Sequence, residues 1–257
     1  MDSFVLNIII MFFGLCVGSF LNVCIYRIPL SKSIAFPGSS CCSCSSSIRF
    51  YDNIPVISFI WLKGKCRKCG YKISLRYPMV EITTSLIFLS VFLNFGFCLE
   101  SFIYLIFLSS LIIIIFIDID HQIIPDIITL PGIIFFLCTS FFTHSITFIQ
   151  SLSGIIAGGG SLLIVAWTYY LLTKKEGMGG GDIKLLAMIG AFIGWKGVIF
   201  TIFIASFTGT IAGILIILIK GKSFKDKIPF GPFLSIGAMT YIFLGTELTY
   251  LYLRLAG

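Results

Sequence analysis

The feature that most constrains this chain is a succession of continuous apolar runs, each close to the length that crosses a lipid bilayer. A membrane-spanning α-helix needs about 20 consecutive apolar residues, whereas a transmembrane β-strand alternates apolar and polar residues. The runs do not alternate, and 58% of the 257 residues are hydrophobic while only 11% are charged. A soluble domain of this length would need more polar surface. The sequence therefore predicts an all-α integral membrane protein, folded as a polytopic helical bundle.

We predict about eight transmembrane helices from these runs. They cover residues 4–26, 80–98, 102–117, 127–143, 150–172, 183–197, 199–219 and 229–253. Three runs are short and glycines blur one boundary, so six or seven spans remain an alternative. The opening letters MDSF include no Lys or Arg, which is atypical of a cleavable secretory signal, and we expect the first span to be retained.

The positions of Lys and Arg predict the orientation in the membrane. If the N-terminus lies outside, 16 of the 18 basic residues fall in inner loops, and only Lys196 and Arg254 fall outside. Because cytoplasmic loops carry the excess of basic residues, this bias places residues 27–79 in the cytoplasm. The net charge of +7 then reflects the orientation of the chain in the membrane, and the basic loops would interact with anionic lipid headgroups. No basic stretch is interleaved with aromatic residues, so we expect no nucleic-acid partner.

Residues 27–79 differ in composition from the rest of the chain, with half of the basic residues and five of the nine cysteines. Two stretches in this segment, CCSCSSSIRFYDNIP and CRKCGYKISLRYP, repeat one plan: Cys, two residues, Cys, three residues, Ile, then Tyr and Pro. This doubled pattern is typical of two knuckles that share one tetrahedral zinc ion, a small zinc-ribbon-like loop. The thiolate ligands would be Cys41, Cys44, Cys66 and Cys69.

Disulfides and ordinary free thiols are the alternatives to zinc. The reducing cytoplasm disfavours disulfides, and a loop this small has little apolar core of its own without a metal. Cys42 falls outside the pattern, and its pairing with Cys44 stays open. The remaining cysteines lie in or beside the spans, where we interpret them as packing residues: Cys16, Cys24, Cys98 and Cys138.

Three aspartates interrupt the apolar pattern in the stretch IDIDHQIIPD, residues 117–126. Asp126 follows a proline at the start of a span, where an N-cap is expected. Asp118 closes the preceding span, where the helix dipole disfavours negative charge. An ionisable residue there is a functional candidate. Because Asp118 and Asp120 are two residues apart, about 200° around a helix, only one of them can face a given site.

A second polar interruption is GMGGGDIKLL, residues 177–186. The consecutive glycines Gly179, Gly180 and Gly181 predict unwound backbone before Asp182. An N-cap is the alternative role for Asp182. If Asp182 instead approaches Asp118 away from bulk water, the two carboxyls share a proton, and one can activate water while the other protonates a leaving amine. The sequence therefore indicates aspartic-protease chemistry at a membrane surface.

These residues resemble the type IV prepilin peptidases, which belong to the intramembrane aspartyl proteases with a Gly-x-Gly-Asp motif. DIDHQIIPD and GGGD carry the resemblance, with GSFLNVCIYRIP, the four-cysteine segment, YDNIPVISF, SLRYPMVE and IPFGPFLS in the same order along most of the chain. The resemblance implies that Asp118 and Asp182 are catalytic. It also implies that Asp120 and Asp126, together with the glycine run, are supporting residues.

The resemblance further implies two activities in one bacterial inner-membrane enzyme. An aspartic endopeptidase would remove the basic leader from prepilins and related pseudopilins at the cytoplasmic face, typically between Gly and Phe. A methyltransferase would then methylate the new N-terminus with S-adenosylmethionine. No Gly-rich turn of the dinucleotide-binding type marks a site for that cofactor. Gly18, Asn22 and Arg27 are candidates for it, although helix packing and topology explain Gly18 and Arg27 as well.

Two other classes of protein compete with the peptidase. A proton-coupled transporter would carry acids near mid-membrane and an inverted repeat, and a non-catalytic scaffold would tolerate loss of either aspartate. We expect three regions: residues 1–26 as the first transmembrane helix, residues 27–79 as the cytoplasmic zinc module, and residues 80–257 as the peptidase domain. The sequence gives no oligomeric state and does not identify which prepilin is served.

Overall fold

The computed structural model describes residues 3–143, 145–175, 179–220 and 229–256. Regular structure in these residues is helical, apart from two isolated β-bridges and one 3-10 turn at Phe50–Asn53. The α-helices are α1 (Ser3–Arg27), α2 (Ile57–Trp61), α3 (Arg76–Phe95), α4 (Leu99–His121), α5 (Asp126–Thr139), α6 (Phe148–Thr173), α7 (Gly180–Lys220) and α8 (Gly231–Ala256). The predicted all-α architecture is confirmed.

Helix lengths agree with a multi-pass membrane protein. Among the described residues, α1, α3, α4, α6 and α7 are long and apolar enough to cross a bilayer, whereas α5 and the first part of α8 are apolar but shorter. Many large apolar side chains on these helices remain exposed, including Phe12, Trp167, Phe203 and Leu218. Such an apolar surface is stable in lipid and would promote aggregation in water.

The predicted sixth and seventh spans form one helix, α7, that is interrupted at Gly194. The residue has φ 71° and ψ 177°, which breaks the helical backbone between two apolar segments. Glycine adopts a positive φ without the steric cost that a side chain would add. We predicted this boundary near residue 198, so the break lies about four residues earlier than expected. Within the described residues, seven apolar helices, one of them broken, account for the eight predicted runs.

Residues 1–113 and 114–257 form two compact units. In the first unit α1 packs against α3, and the cysteine segment lies between these two helices in the chain. A Cβ atom at Gly18 would lie only 2.6 Å from the Cα atom of Glu81. This contact favours a role for Gly18 in the close packing of α1 against α3.

The second unit is organised around α7, which packs against α5, α6 and α8. The backbones of α6 and α7 touch at Gly154 and Gly190, because a Cβ atom on either would lie 2.1 Å from the carbonyl oxygen of the other. Small residues of this kind let membrane helices approach closely. The first turns of α7 and α8, and the last residues of α4, lie in this same unit.

Candidate active site and cysteine cluster

Asp118 lies in the last turn of α4, and the structure separates it clearly from Asp120. The Asp118 side chain is buried, with 4% of its surface exposed, whereas Asp120 is exposed. The expectation that the two carboxyls face different directions is therefore confirmed. A buried carboxyl must have a hydrogen-bond partner or a functional reason to be there.

The first residue of α8 supplies that partner. The backbone N–H of Gly231 donates a hydrogen bond of 3.0 Å to Oδ2 of Asp118. The N–H groups of a first helical turn have no partner within their own helix, so a carboxyl oxygen at this position satisfies one of them. The contact fixes the orientation of the Asp118 carboxyl.

Asp182 lies in the first turn of α7 and is half-buried. Ile124 lies close both to Gly181, which precedes Asp182 in the chain, and to Gly231, which binds Asp118. A Cβ atom at Gly181 would lie 2.8 Å from Cβ of Ile124, and one at Gly231 would lie 3.1 Å from its Cδ1. The two aspartates that the sequence singled out are thus brought together across 64 residues of chain.

The three glycines before Asp182 have different surroundings. A side chain at Gly181 would collide with Ile124, one at Gly179 would be 3.8 Å from Oδ2 of Asp182, and one at Gly180 would meet no atom within 4 Å. The helix begins at Gly180, so Asp182 is inside the first turn and is not its N-cap. The prediction of unwound backbone is therefore wrong for Gly180 and Gly181, which are helical, and only Gly179 precedes the helix. Residues 177 and 178 of the same motif lie outside the described residues.

Asp126 has a different role from the one we expected. It is the first residue of α5, with Pro125 at the N-cap position and no side-chain capping bond. Its carboxylate forms an ion pair with Lys184, with Nζ at 2.7 Å and 2.8 Å from the two oxygens. The N-cap interpretation of Asp126 is therefore wrong, because the side chain turns away from its own helix end to connect α5 with α7. Lys184 was not predicted as a site residue, although its position two residues after Asp182 was an available signal.

The cysteine segment repeats in three dimensions as it does in sequence. Cys41 N–H donates to the carbonyl of Ser46, and Cys66 N–H donates to that of Tyr71. The carbonyl oxygens of Cys41 and Cys66 each accept a hydrogen bond from the backbone N–H four residues later, at 2.9 and 3.0 Å respectively. One antiparallel bridge brackets each loop, Ser40 with Ser47 and Lys65 with Lys72. The two knuckles are thus structural repeats, 25 residues apart.

The four predicted ligands converge on one point. The Sγ atoms of Cys41, Cys44, Cys66 and Cys69 all lie within 4.8 Å of one another, and those of Cys41 and Cys69 are 3.8 Å apart. Tetrahedral zinc with bonds of about 2.3 Å separates its sulfur ligands by about 3.8 Å. The donor set and its spacing therefore fit a zinc ion, and the cysteines are free thiols in the structure.

An ion pair reinforces the second knuckle. Arg67 donates to both carboxylate oxygens of Asp52, with a shortest contact of 2.6 Å, and so connects the knuckle to the 3-10 turn. The Arg67 guanidinium holds the pKa of the Asp52 carboxyl below its ordinary value. A hydrogen bond with Ser46 lowers the pKa of the Cys44 thiol to about 6, whereas desolvation and hydrogen bonds to the other three cysteines raise the pKa of the Cys69 thiol to about 11. The four thiols therefore titrate as one coupled group.

Two protein-family models match the chain. Residues 12–95 match the family model described as the bacterial peptidase A24 N-terminal domain, and residues 105–214 match that of the type IV leader peptidase family. No solved structure matches the chain.

Curated relatives extend the match along the whole chain. A prepilin leader peptidase/N-methyltransferase of Pseudomonas aeruginosa is 36% identical over 99% of this chain and 95% of its own length. One of Pseudomonas putida is 34% identical over 91% and 89%, and one of Myxococcus xanthus is 39% identical over 82% and 63%. The chain therefore belongs to the type IV leader peptidase family.

Proposed function

We propose that this protein is a prepilin leader peptidase and N-methyltransferase that uses Asp118 and Asp182 as its catalytic dyad. The observation that carries the proposal is the placement of both carboxyls in one site, with Asp118 buried and bound by the first N–H of α8. The site lies where α4 ends and where α7 and α8 begin, which is the boundary of the apolar region. A transporter would need acids near mid-membrane, and this placement does not provide them.

The dyad performs peptide hydrolysis by sharing one proton. The ionised carboxyl takes a proton from water, and the water oxygen bonds to the scissile carbonyl carbon. The protonated carboxyl gives its proton to the amide nitrogen as the carbon–nitrogen bond breaks. The Gly231 N–H holds Asp118 in place through these steps, and the absence of a side chain at Gly181 leaves room for Ile124 against the first turn of α7. We propose that Asp120 and the Asp126–Lys184 pair support the site from its exposed side.

The substrates would be prepilins and pseudopilins, cut at the cytoplasmic face of the bacterial inner membrane. A site at the boundary suits a basic leader in water followed by an apolar helix in lipid. Binding of that helix away from the scissile bond helps to position the bond for attack. The orientation rests on the distribution of Lys and Arg, with the N-terminus outside.

The zinc ion would be held by the two knuckles and would be structural. Four cysteines complete a tetrahedral shell and leave no open position for water. S-adenosylmethionine supplies an electrophilic methyl group when it is bound. The chain's own task in that second reaction is to hold the cosubstrate and the new N-terminus together.

The test is cleavage of a full-length prepilin by purified enzyme, read as intact mass. Asp118→Asn and Asp182→Asn should each lower the cleavage rate by several orders of magnitude while the protein still inserts in the membrane, because neither carboxyl can carry out both proton transfers. Asp120→Asn is the matched control and should keep measurable activity. Cleavage at the normal rate by Asp118→Asn would show that the dyad is assigned wrongly.

A further inference from the structure

A second site lies in the first unit, which contains neither aspartate of the dyad. An open cavity of about 610 Å³ is lined by the end of α1, the start of α3, and residues of the cysteine segment from both knuckles. Sites for drug-sized molecules usually measure about 300–1,000 Å³ and contain a few converging polar groups on apolar walls. The cavity therefore has the size of a small-molecule site.

One polar group in its wall has an unmet hydrogen-bonding capacity. The Asn22 side chain is 3% exposed, and its Nδ2 donates to the carbonyl oxygen of Tyr77 at 3.0 Å. Its Oδ1 has no hydrogen-bond partner within the described part of the chain. A buried amide oxygen of this kind is costly unless a ligand or water donates to it. The Oδ1 atom of Asn22 can therefore accept a hydrogen bond from a ligand in the cavity.

A buried carboxyl lies in the same wall. Glu81 is 7% exposed, its Oε2 accepts a hydrogen bond of 2.7 Å from the N–H of Val56, and the Ser19 hydroxyl bonds to it as well. Val56 itself has φ 59°, a conformation that a β-branched residue adopts only under constraint. Strained backbone of this kind persists where the surrounding structure holds it, often at ligand sites. No cation is recorded in contact with Glu81 among the described residues.

The remaining walls supply ring faces and positive charge. Tyr26, Phe59 and Tyr71 line the cavity, together with Arg49 and Lys68. Aromatic faces stack against planar heterocycles, and a guanidinium or ammonium group binds a carboxylate. The lining thus combines two buried acceptors, several aromatic rings and peripheral cations.

We propose that this cavity is the S-adenosylmethionine site, with Asn22 and Glu81 as the residues that accept hydrogen bonds from the ligand. The proposal rests on the proposed methyltransferase function. The ligand carries the matching groups: an ammonium, ribose hydroxyls and an exocyclic amine as donors, a planar adenine, and one carboxylate. Of the earlier candidates, Asn22 is retained. Gly18 packs helices, and the Arg27 guanidinium donates to the carbonyls of residues 33, 37 and 38.

The experiment is equilibrium binding of S-adenosylmethionine to the purified, zinc-loaded full chain in lipid nanodiscs, measured by calorimetry without any prepilin. Asn22→Ala and Glu81→Gln should each weaken binding at least tenfold. Glutamine can still accept from Val56 through its amide oxygen, so this change removes the charge and keeps the loop contact. The matched controls are Asn94→Ala and Glu100→Gln, which change the same residue types outside the cavity and should bind normally.

A third variant tests whether weaker binding could result from misfolding. Val23→Trp adds an indole to the cavity wall and should abolish binding, while metal content and leader cleavage remain at wild-type levels. Undiminished affinity in Asn22→Ala, Glu81→Gln and Val23→Trp would overturn the proposal, as would a wild-type enzyme with no affinity for the ligand. Loss of affinity for the basic leader alone would identify the cavity as a peptide site and would also overturn it. Failure of the proposed function is a separate result, namely a wild-type enzyme that neither cleaves nor methylates prepilin.

Discussion

Replacing Gly231 by alanine should separate catalysis from folding. A methyl carbon at this position would lie 2.6 Å from Oδ2 of Asp118, whereas ordinary contacts begin near 3.4 Å. The carboxyl oxygen must therefore move by the difference, about 0.8 Å. Catalytic groups need to be held within about 0.5 Å of their productive positions, and a misplacement of about 1 Å can lower a rate about 100-fold.

We therefore expect Gly231→Ala to reduce the cleavage rate about 100-fold, which corresponds to about 2.7 kcal/mol of barrier. The free energy of unfolding should fall by no more than about 3 kcal/mol, because the displaced oxygen is the end of a rotatable side chain and one hydrogen bond is lost. The assay is single-turnover cleavage of a full-length prepilin in nanodiscs, with thermal unfolding measured on the same sample.

Gly160→Ala is the control for this experiment. It makes the same change in α6 at a position where an added Cβ atom would meet nothing within 4 Å. This variant should cleave normally and should be at least as stable as the wild type, because alanine favours a helix over glycine by about 1 kcal/mol. If folded Gly231→Ala cleaved prepilin as fast as Gly160→Ala, the idea that the start of α8 positions Asp118 would be refuted.

Three further outcomes test other parts of the molecule. Replacing Cys66 and Cys69 by serine should release the metal, which elemental analysis would measure. Methylation should fall further than cleavage, because both knuckles line the cavity of the first unit. Zinc retained at wild-type stoichiometry would show that the ligands are assigned wrongly. Lys184→Ala should cost at most about 1 kcal/mol of stability because the pair is exposed, and a charge swap of Asp126 and Lys184 should restore whatever activity the single change removes. A short soluble peptide that spans the cleavage site should be turned over far more slowly than full-length prepilin, and equal kcat/KM for the two would count against a site that depends on a membrane-embedded substrate helix.

Features that depend on local spacing were predictable from the sequence. The apolar runs predicted the membrane helices because length and composition alone decide whether a segment can span a bilayer. The repeated cysteine spacing predicted the knuckles because each ligand pair is separated by only two residues. The opposite exposure of Asp118 and Asp120 followed from helical geometry. In each case the relevant residues are neighbours in the chain.

Contacts between distant segments were predictable only where the chemistry of the residues required a partner, as for Asp118 with Asp182, and the others were not. Gly231 reaches Asp118 across 113 residues, and Lys184 reaches Asp126 across 58. No periodicity or spacing connects such positions, so their pairing comes only from how the helices pack. The break in α7 was misplaced for a related reason, because several glycines lie in that region and the backbone conformation of one of them, Gly194, decides it.

The two knuckles have a consequence for how the enzyme is supplied in the cell. Each contributes only two of the four sulfur ligands, so neither half can complete a coordination shell by itself. With the proposed zinc ion as the occupant, metal binding and folding of the segment would be a single equilibrium. Under zinc starvation we expect the amount of fully folded enzyme to fall before its rate of synthesis does. Newly made chains would remain in the membrane with an unfolded loop. Metal supply would thereby act as a post-translational limit on this enzyme.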